Sequence, residues 1–451
     1  MSKQKIQLSD HFDYSRLLRF VLPCVGTMLF TSIYGIVDGL CVSNFVGKTA
    51  FAAVNLIMPV PMLVGSVGFM LGTGGSAIVG ITLGEGDREK ADRYFSLFVW
   101  TGLVAGLLLA VVGFFAVRPA ASLLGAKGEM LDYAVRYGRL LMACLPFFIL
   151  QNMFQSFFVT AENPHLGFAF TVAAGVTNMV LDVVLVGMLH GGVEGAAIAT
   201  FISQAVGGVL PVFYFLNKRS TSSIHLGRAQ WNGGVICSAC INGSSELMTN
   251  LSMSLVNILY NYQLLRFAGE NGVAAYGVIM YAAFLFVAVF VGYAVGSAPI
   301  VSYHYGARNH AELNNLYSKS LRLIGVIAVV MTALSMLVIP YVARIFVGYD
   351  AELLALTSHA FRVYALNFFL MGFNVYGSSF FTALGDGVTS ALISFLRTLL
   401  FQLLALILLP MVLGIEGVWL AVTAAEAGAL CVTVLMFITK DKVFHYRKVS
   451  C

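Results

Sequence analysis

Charge is what this sequence has least of: Asp, Glu, Lys and Arg make up only 10% of its 451 residues, against 59% hydrophobic ones. A soluble domain carries about 25% charged residues, so most of this chain cannot face water. Other absences narrow the choice. There is no HExxH, no paired metal-ligand motif and no Gly-rich phosphate loop, so neither enzyme chemistry nor an organic cofactor is expected. The alternating ten-residue segments of a membrane barrel are missing too. Met1–Ser15 is polar and has no apolar core ending in a small-residue cleavage site, so it does not read as a signal peptide. Of the seven cysteines, Cys237 and Cys240 form a CxxC; without a second pair or a histidine cluster they read as structural thiols. The net charge of +5 calls for no nucleic-acid partner.

What the chain does have is uncharged apolar runs that repeatedly reach the roughly 20 residues needed to span a bilayer as a helix. Its 45 glycines suit membrane helices, where small residues let backbones approach. The polar breaks predict an all-α polytopic membrane protein with twelve transmembrane helices, near 16–46, 52–82, 93–117, 132–160, 166–190, 192–216, 233–264, 272–304, 317–339, 355–384, 388–410 and 414–439. The first holds Pro23, Gly26, Gly35 and Gly39 and is the best candidate for a bend. Seventeen lysines and arginines fall on the side of the two termini and eight on the other, with Arg397 inside a span. By the positive-inside rule both termini of this multi-pass protein are expected in the cytoplasm.

A self-similarity at a constant shift of 222 residues organises the chain. Phe51–Met58 matches Val273–Met280, and Gly74, Ile78, Val79 and Gly84 recur as Gly296, Ile300, Val301 and Gly306. Asn152, Ser156, Thr160 and Ala161 return as Asn374, Ser378, Thr382 and Ala383; Gly192, Glu194, Gly195 and Ala199 as Gly414, Glu416, Gly417 and Ala421. A unit of six helices is even, so both copies cross in the same sense. Two six-helix bundles related by a pseudo-two-fold axis along the membrane normal follow. The expected divisions are a cytoplasmic segment 1–15, an N-terminal lobe 16–216, a linker 217–232, a C-terminal lobe 233–439 and a tail 440–451.

Ionisable groups inside a span are costly and usually face a cavity or a partner. Here they are Asp38, Asp182, Glu246, Arg397 and Glu426, with Asn178 and Thr200 beside them. Counted from the predicted span ends at about 1.5 Å per residue, Asp38, Asp182 and Thr200 all fall roughly 12 Å below the outer surface. Asn178 shares a helix face with Asp182. Two carboxylates, an amide oxygen and a hydroxyl at one level suit a small hard cation such as Na⁺. The same carboxylates could instead hold a proton, because close like charges in low dielectric do not both ionise. Plain interhelical hydrogen bonding is the alternative. Under the repeat Asp38 and Asp182 map to Tyr260 and Leu404, so the coupling chemistry is expected in the first half alone.

Ile36-Val-Asp38, the segment Gly84-Glu-Gly-Asp-Arg-Glu-Lys-Ala91, Thr177-Asn178-Met-Val-Leu-Asp182 and Gly192-Val-Glu-Gly-Ala-Ala197, in this order over essentially the whole chain, resemble the multidrug and toxic-compound extrusion (MATE) family, in its bacterial drug-exporting branches. The resemblance implies a secondary antiporter that exports drug-like organic molecules, usually cationic, in exchange for Na⁺ or H⁺, working as a monomer in the lipid bilayer. It also implies that Asp38, Asn178, Asp182 and Thr200 form the cation-coupling site, the first three being the Na⁺ ligands if sodium is the ion. Glu246 is then expected to face a central cavity, with Asn250 one turn further on the same face. Asn374, Met62, Met280 and Tyr281 could line that cavity, since Met and aromatics suit varied apolar ligands. Arg397 departs from a pathway for cations: it could pair with Glu426 or Glu246, or signal an anionic or zwitterionic substrate. A lipid-linked precursor flippase is the competing reading, but its pyrophosphate would ask for several basic residues where Arg397 alone is available. A passive channel is disfavoured by the tandem repeat with intramembrane carboxylates.

Overall fold

The structure is a computed structural model that describes residues 6–46 and 48–447. Lys3, Lys5 and Lys448 of the charge asymmetry, and Cys451, lie outside the described residues. Those described are helical almost throughout, with no strand among them. In chain order the spans are α1 (Tyr14–Phe45), α2 (Lys48–Ile57 continuing as Pro59–Gly84), α3 (Arg88–Leu123), α4 (Gly128–Ala143 and Leu145–Thr160), α5 (Pro164–Leu181 and the π-helical Asp182–Met188) and α6 (Gly192–Leu216). The second half follows as α7 (Gly233–Asn242, then 244–268), α8 (270–306), α9 (His310–Val347), α10 (Ala351–Ala365 and Phe368–Ala383), α11 (Gly387–Phe395, π-helical Leu396–Leu400 and Phe401–Leu413) and α12 (Ile415–Thr439).

Nine helices among the described residues are long and apolar enough to span by themselves, and two bent pairs bring the number to 11. The twelfth comes from the 63-residue helix Ser244–Gly306, in which Gly269 takes φ 59° and ψ −148°. That backbone is open to glycine and strained for other residues, so α7 ends and α8 begins there. Twelve transmembrane helices in two bundles are the result.

The repeat survives in the irregularities. The bend in α4 is 55° and falls at Cys144; that in α10 is 45° and begins at Leu366, its partner at the shift of 222. The causes differ. In α4, Pro146 cannot donate to the helical ladder. In α10 no proline is present; the Asn367 side-chain amide instead donates to the Tyr364 carbonyl, competing with the backbone. Likewise Asp87 caps α3 through the Lys90 amide, and its counterpart Asn309 caps α9 through that of Glu312. By contrast α1 is continuous helix through Pro23, and the two broken spans are α4 and α10.

The halves meet tightly at the end of the bundle that carries the termini. A Cβ on Gly84 would sit 2.0 Å from the Tyr303 carbonyl oxygen of α8, and one on Gly306 would sit 2.0 Å from the Ile81 oxygen of α2. Gly74 meets the backbone of α7 at Ala239 and Gly243, while Gly292 meets that of α1 at Val25. These contacts are backbone on backbone, the close approach that small residues allow.

Candidate functional site

In the first half, α1 and α5 bring two carboxylates into lipid-depth surroundings. Asp182 is the first residue of the π-helical turn that ends α5, and it is fully buried; Asn178, one turn earlier, is 2% exposed. The carboxyl group of Asp38 on α1 stands against that of Asp182. Neither oxygen of Asp182 completes a hydrogen bond among the described residues, nor do Oδ1 of Asp38 and Nδ2 of Asn178. Unsatisfied buried polar atoms are rare and ask for an explanation. Tyr137 of α4, fully buried, directs its hydroxyl into the same place, where it lies near both carboxyls and toward Thr200 of α6. The Thr200 hydroxyl donates to the Ala196 carbonyl at 3.1 Å, leaving its lone pairs available.

No group of three or more His, Cys, Asp or Glu side chains comes together among the described residues. Any cation here would therefore rest on two carboxylates completed by neutral oxygens, a set suited to a hard monovalent ion and ill suited to a transition metal. The π-helix matters for this geometry. Its extra residue per turn frees backbone carbonyls from the regular ladder and is a frequent companion of functional side chains.

Mostly within the second half a cavity of about 410 Å³ opens among α2, α4, α7, α8, α10, α11 and α12. Glu246, Asn250, Met280 and Arg397 line it together with Tyr260, Tyr276 and Glu426. Glu426 is fully buried; Arg397 Nε donates to its Oε1 at 2.8 Å, and Asn374 Nδ2 donates to its Oε2 at 2.8 Å. Arg397 sits on the π-helical turn of α11, as Asp182 does on that of α5, though at a different depth. Glu246 lies just past the Gly243 break in α7. Its carboxylate makes no hydrogen bond or ion pair among the described residues, while the Asn250 amide donates to its backbone carbonyl at 2.9 Å. Ser378, Thr382 and Ser394 also line the cavity, and their hydroxyls are bonded to one another directly or through Ser390.

Three residues expected at this cavity lie elsewhere. Asn374 faces α12 from within the packed wall and also accepts from Thr433 at 2.8 Å. Tyr281 follows Met280 by one residue, which turns it about 100° away on the helix; it stacks on Phe346 instead. Met62 belongs to a small space in the first half beside Thr200 and Gln204. Conversely, Tyr137 was not singled out by the sequence, where it is one of 19 tyrosines with no motif around it. Glu426 could be noticed as an intramembrane acid, and the ion pair now gives it a place.

Comparison with known proteins adds the following. A family model described as MatE matches residues 23–184 and 247–407, one stretch in each half. The multidrug export protein MepA of Staphylococcus saprophyticus is 22% identical over 434 residues, covering 95% of both chains. MepA of Staphylococcus haemolyticus is 23% identical over 437 residues, covering 97% of this chain and 95% of its own. Among solved structures, an outward-facing multidrug resistance MATE family transporter superposes with a TM-score of 0.91 at 24% identity over 99% of each chain. A transporter of the MOP superfamily from Pyrococcus furiosus, described as having a binding pocket of reverse polarity, gives 0.89 at 25% identity over 98% of this chain and 99% of its own.

Proposed function

Since the chain belongs to the MatE family, whose members are transporters, we propose that it is a secondary antiporter exporting drug-like, amphipathic organic compounds from a bacterial cell by alternating access. The lobes 16–216 and 233–439 are the moving parts, joined by the linker 217–232, with both termini in the cytoplasm and one chain sufficing for transport. Asp38, Asp182, Asn178 and Thr200 are the coupling site, and Tyr137 joins them as a fifth contributor. The cavity around Glu246, Asn250, Met280 and Arg397 takes the substrate.

One observation carries this reading: two carboxyl groups from separate helices meet inside the first half with the oxygens of Asp182 unpaired. An ion or a proton supplies the missing partner, and its arrival or loss changes how α1 sits against α5. Relatives named as multidrug exporters over 95% of their length support the substrate class. The test is export of a fluorescent dye from proteoliposomes under an imposed Na⁺ or pH gradient. Asp38→Asn should abolish gradient-driven export while leaving dye binding in place. A mutant that still exports in response to the gradient would sink the coupling site, and comparing the two gradients identifies the ion.

A further inference from the structure

We propose that the cavity of the second half is bipolar and selects zwitterionic amphipaths, molecules bearing both an organic cation and a carboxylate, over simple cations of the same shape. This rests on reading that cavity as the export site. Its acidic pole is Glu246, which lines the cavity and whose carboxylate makes no hydrogen bond or ion pair among the described residues, with Arg397 as its charged neighbour. Its basic pole is Arg397. Glu426 occupies that guanidinium through Nε alone, at 2.8 Å. The two terminal nitrogens make no hydrogen bond among the described residues, and the side chain, 12% exposed, lines the cavity.

Charge then decides between ligand classes. Two carboxyl groups, Glu246 and Glu426, face one guanidinium, so the cavity offers an acidic group at Glu246 that nothing bonds and two charge-assisted donors at Arg397 that nothing bonds among the described residues. A plain cation would satisfy Glu246 but leave those donors dry in a low-dielectric space, which is unfavourable. A plain anion would meet the donors but face Glu246 unneutralised. A zwitterion answers both poles, and a planar carboxylate matches the two-donor edge of a guanidinium. Tyr260 and Tyr276, stacked with centroids 4.8 Å apart, and Met280 line the same cavity and give the body of the ligand an adaptable apolar wall.

A matched pair of dyes isolates the carboxylate: rhodamine B, which carries a delocalised cation and a benzoate, and its ethyl ester, which keeps the cation alone. Binding to the full-length protein in detergent is read by fluorescence polarisation. Wild type should bind rhodamine B about tenfold more tightly than the ester. The double variant Arg397→Gln, Glu426→Gln removes the guanidinium without stranding a charge; it should erase that preference by weakening rhodamine B without weakening the ester. Arg397→Lys, which keeps the charge and the fold but loses the planar fork, should retain part of the preference. Glu246→Gln should weaken both dyes. Equal or tighter binding of the ester by wild type, or a preference that survives the double variant, overturns the bipolar cavity. If both dyes bind and ignore Glu246→Gln as well, the ligand is not in this cavity, and the assignment of the export site itself fails.

Discussion

Glu426 holds two neighbours at once, Arg397 with one oxygen and Asn374 with the other, and it is fully buried. Removing one member of such a pair strands the other, at a cost of about 3–5 kcal/mol, whereas replacing both by apolar groups of similar size is close to neutral. Glu426→Ala should therefore melt at a clearly lower temperature in detergent than wild type, and Arg397→Met with Glu426→Leu should melt above Glu426→Ala. The opposite order would show that the pair contributes little. A second ion pair lies outside the spans, where Lys440 Nζ meets Asp386 Oδ2 at 2.7 Å. Burial alone would lift the Asp386 carboxyl, but hydrogen bonds from Lys440 and Thr389 outweigh it and hold the group below its ordinary 3.8. A carboxyl depressed in the folded state stabilises it fully above the ordinary value and loses that contribution as pH falls through the folded one. The stability gap between wild type and Asp386→Asn, which keeps the cap on Thr389, should thus be constant from about pH 8 to about pH 5 and shrink below about pH 4. A gap independent of pH would remove the charge from the explanation. At this scale the sequence marks which residue types are out of place in lipid, and Asp38, Asp182, Glu246, Arg397 and Glu426 stand out for that reason. It does not say which way a neutral side chain points. Asn374 and Tyr281 were misplaced because a helix rotation of about 100° per residue separates cavity from wall, and Tyr137 was invisible because a tyrosine in an apolar helix has many ordinary uses.

Single glycines set how closely whole helices approach. Gly84 on α2 and Gly306 on α8 are partners under the repeat, and each presses on the other helix where a Cβ would collide with a carbonyl oxygen at 2.0 Å. Backbone cannot yield as a flexible side chain can, so Gly84→Ala must separate α2 from α8 at the end that carries the termini. The expected consequence is faster reaction of a cysteine placed at Ser302 with a membrane-impermeant thiol reagent added from that side, in a chain whose exposed cysteines are replaced by serine. Unchanged labelling would mean that the helices accommodate the methyl elsewhere. The existence and order of the twelve helices were legible, because apolar runs and polar breaks suffice for that. Their irregularities were not: the bend was expected in α1, at Pro23, Gly26, Gly35 and Gly39, and neither that in α4 nor that in α10 was foreseen. The bend in α4 has a proline, Pro146, to mark it; the corresponding bend in α10 depends on an asparagine side chain that could as easily have faced a neighbour. The π-helical turns at Asp182 and Arg397 leave no periodicity to read within five to seven residues.

The segment ahead of α1 binds the two halves together. Its sequence reads only as a polar segment on the cytoplasmic side, yet Leu8 and Phe12 are both buried. The Leu8 amide donates to Glu162 Oε1, in the turn between α4 and α5, at 2.8 Å, and the Phe12 amide donates to Glu312 Oε1 on α9 at 2.9 Å. The Phe12 carbonyl accepts from Asn315 and Lys319 on the same helix, at 2.9 and 2.8 Å, and His11 Nδ1 lies 2.6 Å from Glu312 Oε2. Rocking one bundle against the other cannot open this end without breaking one set of these bonds. Glu312 concentrates them, because its two oxygens serve both His11 and Phe12. Glu312→Ala should accordingly raise the population in which this end is open. Spin labels on cysteines at Glu89 and Ala311, partners under the repeat at the start of α3 and of α9, would report it as a longer component in their distance distribution. If that distribution matches wild type, the segment follows the motion without resisting it, and closure at this end rests on contacts such as those of the glycines between the halves.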